Sequence, residues 1–331
     1  MEFDFIKCHG SGNDFILIDE REHEFDLTNQ EREILAIGLC NRENSIGADG
    51  ILFVMDSEHA MAKMRVYNAD GSEASMCGNG LRCVARYVCE KEGVSQAIIE
   101  TLKADLSVSK KPSIYENIPT YQVEVSPVSF ELADLPMCRN QEEILLNASL
   151  EELSPSLSFS AVAVPNPHLI AIVEAESLRT EEQKDIAQAV NGQNTMFPDG
   201  VNVSFVSELA QGTIYVRTYE RGVGFTNACG TAMSASTLIF QLARTGSVGQ
   251  PMIVYNDGGM VKCVPHLQED ETYSIDLIGN ATFVYEAIVD FDFHKPENSI
   301  LIQKHSTLEE KEYSNLKEYA KSLVAVHLSQ N

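Results

Sequence analysis

Met76-Cys77-Gly78-Asn79-Gly80 and Ala228-Cys229-Gly230-Thr231-Ala232 are two cysteine-glycine turns within one chain of 331 residues. The same spaced residues precede both cysteines. A tyrosine lies ten residues upstream of each cysteine and an arginine lies twelve upstream, namely Tyr67 and Tyr219, and Arg65 and Arg217. The spacing predicts a duplicated chain with one thiol in each half. Two like thiols suit a reaction that needs one acid and one base of the same kind.

Further pairs extend this repeat over most of the chain. They are Thr28 with Thr180, Asn13 with Asn166, Asp49-Gly50 with Asp199-Gly200, and Asn68 with Glu220. The last pair differs in charge, although both members lie nine residues before their cysteine. We interpret the matched positions as serving the shared fold and the proton transfer. The pair that differs is interpreted as serving substrate choice.

The composition excludes several classes of protein. With 44% hydrophobic and 22% charged residues, the chain is typical of soluble globular proteins. A formal charge of −25 argues against a nucleic-acid partner, since phosphate binding needs clustered Lys and Arg. No run of about 18 apolar residues predicts a membrane span, and the first residues lack the features of a signal peptide, so a cytoplasmic location is expected. The eight cysteines form no C-x-x-C pair, so we expect free thiols and no metal.

Each half reads as strand, helix, strand, strand, and then a helix behind the cysteine. Apolar runs predict strands at 15–18, 51–54 and 64–67 in the first half, and at 169–173, 201–206 and 214–217 in the second. Thr28 with Glu31 and Thr180 with Gln183 predict capping boxes that open a helix in each half. The helices behind the cysteines are expected to end at Gly93 and Gly246.

The remaining segments connect and extend the two halves. Four prolines in 98–136 favour a domain crossover there. Near the C-terminus, Ser306 and Glu309 predict a further capping box. The helix that follows would carry Leu316, Ala320, Leu323 and Val324 on one face. That face is expected to cover either an edge of the core or a partner subunit, and the second arrangement would make a homodimer.

The position of both cysteines at a helix start suggests how their thiols are activated. A thiol with a pKa of about 8.5 needs roughly 2 kcal/mol of preference for the anion to titrate near pH 7. A helix N-terminus in a partly buried site offers up to about 2 kcal/mol. Two such helix starts can also aim backbone N–H groups at one carboxylate, with Asn79 and Thr231 among the donors.

Seven stretches resemble signatures of the diaminopimelate epimerase family. They are Lys7-Cys8-His9-Gly10-Ser11-Gly12-Asn13-Asp14-Phe15, Asn68-Ala69-Asp70-Gly71-Ser72, Met76-Cys77-Gly78-Asn79-Gly80, Asn166-Pro167-His168, Gly200-Val201-Asn202, Glu220-Arg221-Gly222 and Ala228-Cys229-Gly230-Thr231. The resemblance implies a pyridoxal-independent epimerase, with no cofactor, that interconverts LL- and meso-2,6-diaminopimelate for lysine and peptidoglycan synthesis.

The resemblance also implies an α/β (α+β) fold of two pseudo-symmetric domains, each a mixed sheet or barrel around a central helix, with the site in the cleft between them. The expected boundaries are 1–127 for the first domain, with a strand returning to it at about 281–290, and 128–280 for the second. A helical C-terminal extension is expected over 291–331.

The family's functional residues transfer to this chain motif by motif. Cys77 and Cys229 correspond to the acid/base pair, and His168 and Glu220 to residues that support the thiols. The positions that line the substrate are Asn13, Asn68, Gly78, Asn79, Asn166, Asn202, Glu220, Arg221, Gly230 and Thr231. Two positions depart from the family pattern: Phe225 stands where Glu is usual, and Gly50 where some members have Gln as a substrate contact.

Three alternatives stay open at this point. The first keeps the two-cysteine mechanism but acts on a proline-like or histidine-like amino acid, although Arg221 favours a substrate with a second carboxylate. The second is a cysteine hydrolase that uses one thiol with His168 and an asparagine. The third is an inactive binding protein of the same fold.

Overall fold

The computed structural model describes residues 1–22, 26–43, 45–139 and 142–330. Its α-helices are α1 (Asn29–Leu39), α2 (Gly78–Glu92), α3 (Glu182–Asn191), α4 (Gly230–Thr245) and α5 (Glu309–Gln330). Strands up to the middle of the chain are β1 (Glu2–Gly10), β2 (Asn13–Asp19), β3 (Gly50–Met55), β4 (Ala62–Asn68), β5 (Glu73–Ala74), β6 (Gln96–Glu100), β7 (Asp105–Lys111), β8 (Thr120–Val128) and β9 (Ala148–Ser149). The others are β10 (Ser158–Ala163), β11 (Pro167–Ile172), β12 (Asn202–Ala210), β13 (Thr213–Glu220), β14 (Gly224–Phe225), β15 (Met252–Asn256), β16 (Gly259–Leu267), β17 (Tyr273–Asn280), β18 (Thr282–Asp290) and β19 (Ile300–Ser306).

The chain divides into two compact units. Unit 1 comprises Met1–Val123 and Ile278–Asn315, and unit 2 comprises Glu124–Leu277 and Leu316–Asn331. The chain leaves unit 1 within β8 and re-enters it within β17. It passes into unit 2 again along α5.

The strand pairing of unit 1 recurs in unit 2. An antiparallel hairpin, β1–β2 or β10–β11, comes first. A helix, α1 or α3, then leads to a parallel pair, β2–β3 or β11–β12, because parallel neighbours need a crossover connection. An antiparallel pair follows, β3–β4 or β12–β13. The strand after the cysteine helix, β6 or β15, pairs parallel with β4 or β13. The predicted duplication and the mixed α/β fold class are thereby confirmed.

The helices behind the two cysteines are the central helices of their units. Both are buried over most of their length, and in α2 even the Arg82 side chain is inaccessible to solvent. Each ends at a glycine in the left-handed region, Gly93 with φ 67° and Gly246 with φ 66°, where a side chain would be strained. Both predicted helix ends are therefore confirmed.

The three predicted capping boxes have different outcomes. The Thr28 side chain accepts from the Glu31 backbone N–H, and Glu31 reaches back to Thr28, so this box is confirmed. The Thr180 box is wrong, because α3 begins at Glu182. The Gln183 side chain instead bonds the carbonyls of Val203 and Arg217. The Gln183 amide therefore bonds residues distant in sequence and does not cap its own helix.

The segment after Asp290 differs from the expected helical extension. It first forms β19, which pairs antiparallel with β18, as suits the apolar run Ile300-Leu301-Ile302. The Ser306 box is also wrong, because α5 begins at Glu309 and the Thr307 hydroxyl accepts from the Glu309 N–H at 3.4 Å.

The apolar face of α5 is buried within its own chain. The buried side chains are Tyr313, Leu316, Ala320 and Val324, whereas Leu323 is 38% exposed, contrary to expectation. The sequence allowed this face to pack either on an edge of the core or on a partner subunit. In the structure it packs on the chain's own core.

Candidate active site

The first thiol lies at the start of the central helix of unit 1. Cys77 is the N-cap of α2, in extended conformation. Its Sγ donates to Asn13 Oδ1 over 3.7 Å, and Asn79 Nδ2 donates to the same oxygen over 3.2 Å. Three predicted site residues are thereby brought into one cluster.

A tight turn and one aspartate hold Asn13 in this cluster. The turn between β1 and β2 has positive φ at both Ser11 (56°) and Gly12 (80°), the geometry of a two-residue hairpin. Asn13 follows it directly and donates Nδ2 to Asp49 Oδ2 over 2.6 Å. Asp49 was not predicted as a site residue. The repeated Asp-Gly pair at 49–50 and 199–200 was the signal that pointed to it.

Asn68 lies at the same end of the sheet as Asn13 but has different hydrogen-bond partners. Phe15 pairs with Gly50, and Gly50 pairs with Asn68, so β2, β3 and β4 place Asn68 near the strand end that carries Asn13. The Asn68 amide donates to Ser72 Oγ over 2.9 Å, within the turn that follows β4.

Burial has the largest effect on the pKa of the first thiol. It raises the pKa of Cys77 to about 11, while the backbone N–H groups of Gly80 and Asn79 act in the opposite direction. The predicted donors at the helix start are therefore present. The predicted fall of the pKa toward 7 is wrong, because the loss of hydration outweighs these backbone hydrogen bonds.

The second thiol occupies the equivalent position in unit 2. Cys229 is the N-cap of α4 and is buried. Its Sγ lies 3.4 Å from Thr231 Oγ1. Glu220 ends β13 as Asn68 ends β4, and its carboxylate accepts a short hydrogen bond from the Thr226 hydroxyl.

The other predicted residues of unit 2 lie at the ends of the neighbouring strands β11, β12 and β13. His168 on β11 pairs in register with Asn202 on β12, and His168 Nε2 lies 3.1 Å from Asn166 Oδ1. Asn202 Oδ1 accepts the backbone N–H of Arg221 over 2.9 Å. Arg221 then donates Nη1 to the carbonyl of Asp199 over 2.8 Å.

Charge and burial set the protonation of this half. Burial first, and then the Glu220 carboxylate, raise the pKa of Cys229, while Thr231 and the Ala232 N–H act to lower it. Burial, with a smaller effect of the Arg221 charge, lowers the pKa of His168 to about 3. His168 is therefore neutral near pH 7. Within the described part of the chain its buried Nδ1 has no hydrogen-bond partner.

All eight cysteines are free thiols. Among the described residues, no group of three or more His, Cys, Asp or Glu side chains is arranged to hold a metal ion. Over those same residues, no helix has both the length and the apolar character needed to cross a bilayer.

Comparison with known proteins identifies the family to which these two cysteine turns belong. The model of the family described as diaminopimelate epimerase matches residues 5–118 and 160–284, more than half of the chain. The chain belongs to the diaminopimelate epimerase family. The family resemblance of the sequence motifs is thereby confirmed.

Relatives from two genera match more than four fifths of this chain. The diaminopimelate epimerase of Listeria innocua is 52% identical over 292 residues, covering 87% of this chain and 88% of that protein. The diaminopimelate epimerase of Enterococcus faecalis is 51% identical over 283 residues, covering 84% of this chain and 86% of that protein.

Solved structures with low sequence identity share the fold. A phenazine biosynthesis protein of the PhzF family from Bacillus anthracis superposes with a TM-score of 0.63 at 17% identity, covering 87% of this chain and 99% of its own. A probable proline racemase from Agrobacterium radiobacter has a TM-score of 0.57 at 13% identity, covering 85% and 91%.

The structure gives physical reasons for the two departures from the family's pattern. A Cβ at Gly50 would lie 2.4 Å from the Tyr67 carbonyl oxygen, so this backbone accepts no side chain there. Phe225 is 47% exposed, with its ring 5.1 Å from Tyr219 and 5.0 Å from the Arg217 guanidinium. Aromatic and cation–π packing hold Phe225 at this position.

Proposed function

We propose that this member of the family interconverts LL- and meso-2,6-diaminopimelate, with Cys77 and Cys229 as the two bases. The observation that carries the proposal is their equivalence. Each is the N-cap of the central helix in one half of a duplicated fold, and backbone N–H groups of the first helical turn hydrogen-bond each sulfur. The product would be the meso isomer that supplies lysine and peptidoglycan synthesis.

The raised thiol pKa values suit the difficult step. Removing a proton from the α-carbon of an amino acid needs a strong base, and a thiolate whose conjugate acid has a pKa of about 11 is stronger than one tuned to 7. Forming that thiolate costs about 1.36 kcal/mol for each pKa unit above the working pH. The substrate's own ammonium group, once it has displaced water, can offset part of this cost.

One thiolate would take the α-proton, and the other thiol would deliver a proton to the opposite face. The two sulfurs exchange protonation states over one turnover, and the reverse reaction starts from the exchanged form. The reaction needs no cofactor. We assign the reacting carboxylate to the backbone N–H groups of Gly78-Asn79 and Gly230-Thr231.

The distal end of the substrate is assigned to polar side chains. Arg221 is proposed to pair with the second carboxylate through the part of its guanidinium that Asp199 does not engage. Asn13, Asn68, Asn166 and Asn202 are proposed as further polar contacts. A neutral His168 would act by orienting Asn166, to which it is hydrogen-bonded.

The substrate is the point on which a second candidate differs. Solved structures of the same fold include a hydroxyproline epimerase from Agrobacterium vitis, with a TM-score of 0.58 and 13% identity. A racemase of another amino acid would use the same thiols. Comparing kcat/KM for diaminopimelate isomers, proline and hydroxyproline decides between them, and equal or higher values for the cyclic amino acids would overturn our assignment. Family membership argues against the cysteine hydrolase.

Isotope incorporation tests the mechanism. In D₂O, each inversion should place one solvent deuterium at the inverted carbon, and mass spectrometry should detect it in the product from the first turnovers. Cys77→Ala and Cys229→Ala should each abolish inversion, while Cys138→Ala, at an exposed thiol, should leave it unchanged. Full turnover by either of the first two variants would refute the two-base proposal.

We also keep the homodimer and the cytoplasmic location as proposals. In β19, Ile300 and Ile302 are 65% and 52% exposed on a strand whose pairing within the described ranges is with β18 alone. Such an apolar edge favours pairing with a second copy. In sedimentation equilibrium, the parent protein should be a dimer and the Ile302→Lys variant should be a monomer. A monomeric parent protein would overturn the homodimer.

A further inference from the structure

We propose that the segment Glu309–Tyr313, here called the tail segment, positions Asn13 against the Cys77 thiol. This role rests on the proposed function of Cys77 and Asn13. The tail segment is the first part of α5, far from Cys77 in sequence, and the contacts named below lie within unit 1. Its contacts divide into an anchor on α2 and a clamp on the β1–β2 turn.

The anchor is a bidentate ion pair. Arg86 of α2 donates Nη1 and Nη2 to the two carboxylate oxygens of Glu309, over 2.5 and 2.7 Å. The same carboxylate accepts the backbone N–H of Phe283 over 2.9 Å. The guanidinium lies 3.9 Å from the Phe283 ring centroid and is mostly buried. This geometry fixes the start of α5 to the helix that carries Cys77.

The clamp acts on the residues around the hairpin turn. His9 Nε2 lies 3.0 Å from Glu310 Oε2, and the His9 ring meets the Tyr313 ring edge-on with 4.3 Å between centroids. The Tyr313 hydroxyl lies 3.5 Å from the position of a Cβ on Gly12. Tyr313 is 4% exposed. The tail segment thus packs on His9 and on Gly12, the residue immediately before Asn13.

A second set of contacts transmits this position to the thiol. The Arg82 Nη2 group donates to both Ser11 Oγ and Asn79 Oδ1, each over 3.0 Å. A Cβ on Gly10 would lie 2.7 Å from the Asn79 carbonyl oxygen, so the hairpin rests directly on the first turn of α2. A displaced turn would therefore move Asn13 Oδ1 away from Cys77.

This arrangement predicts a selective effect on one thiol. The Asn13 oxygen accepts from the Cys77 S–H and so favours the protonated form. Without this hydrogen bond, Cys77 should react about fivefold faster with iodoacetamide, because the free energy of one neutral hydrogen bond corresponds to a factor of that size. Cys229, in the other unit, should react at its original rate. A merely structural role would lower the melting temperature and affect both thiols alike.

The test compares tail-segment variants with matched controls on the same helix. Tyr313→Ala and Glu310→Gln are expected to raise the Cys77 alkylation rate and to lower kcat by on the order of tenfold with less change in KM. Tyr313→Phe, which keeps the ring on His9, should restore the original rates. Val324→Ala and Glu318→Gln are the buried and charged controls, and both should leave the Cys77 rate unchanged.

Peptide mass spectrometry after timed alkylation reads each cysteine separately and needs no substrate. Failure of the positioning role is therefore distinguishable from failure of the proposed function. A Cys77 rate that is unchanged in both Tyr313→Ala and Glu310→Gln overturns the role, as does an equal rise at Cys229. If Tyr313→Ala does not fold, Glu310→Gln, at a half-exposed carboxylate, decides alone. Loss of epimerisation in the parent protein would refute only the function.

Discussion

The reactivity of Cys77 between pH 8.5 and 9.5 offers a direct test of how its environment acts. Burial raises the pKa of this thiol to about 11, against an ordinary value of about 8.5. The backbone N–H groups of Gly80 and Asn79 reduce the rise without cancelling it. In the substrate-free protein, therefore, Cys77 should be almost fully protonated throughout this pH range.

The expected magnitude follows from the fraction of thiolate. For a thiol with a pKa of about 11, one pH unit in this range multiplies that fraction by about ten. For an ordinary thiol with a pKa of about 8.5, the same step gives only about a twofold increase. The logarithm of the Cys77 alkylation rate should accordingly rise with a slope near one, without a plateau.

Timed iodoacetamide labelling followed by peptide mass spectrometry measures this slope. The exposed Cys138 is the internal reference for reagent reactivity, and the buried Cys83 and Cys263 report any unfolding at high pH. A Cys77 rate that levels off by pH 9 would refute the dominance of burial. It would restore the simpler view in which the helix start lowers the pKa toward 7.

Two further predictions concern the second half and the family's departures. Burial and then Glu220 raise the pKa of Cys229. Glu220→Gln should therefore speed alkylation of Cys229 several-fold at pH 9 and lower the rate of epimerisation. An unchanged labelling rate of Cys229 would contradict the electrostatic role of Glu220. Gly50→Gln should destabilise the protein by about 1–3 kcal/mol because its Cβ would overlap the Tyr67 carbonyl oxygen, whereas Phe225→Glu, at a half-exposed ring, should cost about 0.5–1.5 kcal/mol. Thermal unfolding measures both, and a Gly50→Gln variant as stable as the parent protein would contradict the predicted overlap with the Tyr67 carbonyl.

Features encoded by local spacing could be predicted from the sequence. The cysteine turns, the stripes behind them and the closing glycines Gly93 and Gly246 all depend on short-range periodicity, and the structure contains each of them. The order strand, helix, strand, strand and helix in each half followed from the same repeat, whereas the hairpin strands β1 and β10 were not predicted. The family motifs then supplied residues that the repeat alone did not single out, such as Asn202.

Features that depend on tertiary neighbours could not be predicted in the same way. Gln183 has the right spacing for a cap, but its amide bonds the carbonyls of Val203 and Arg217, and its oxygen accepts from Arg217 Nε over 2.6 Å. Glu309 likewise binds Arg86 across the fold. The thiol pKa values depended on burial, which no spacing reveals, and so the predicted direction of the shift was wrong.

The position at which the two halves differ connects substrate choice with the chemistry of the thiols. Asn68 ends β4 and Glu220 ends β13, so the two occupy equivalent places in a duplicated fold. The neutral Asn68 is engaged by Ser72, whereas the Glu220 carboxylate adds to the burial that raises the pKa of Cys229. This exchange of amide for carboxylate contributes to making the two equivalent thiols unequal. Because an epimerase of a symmetric diamino acid must invert one centre and leave the other, we infer that this inequality belongs to its recognition of the substrate as much as to its acid–base chemistry.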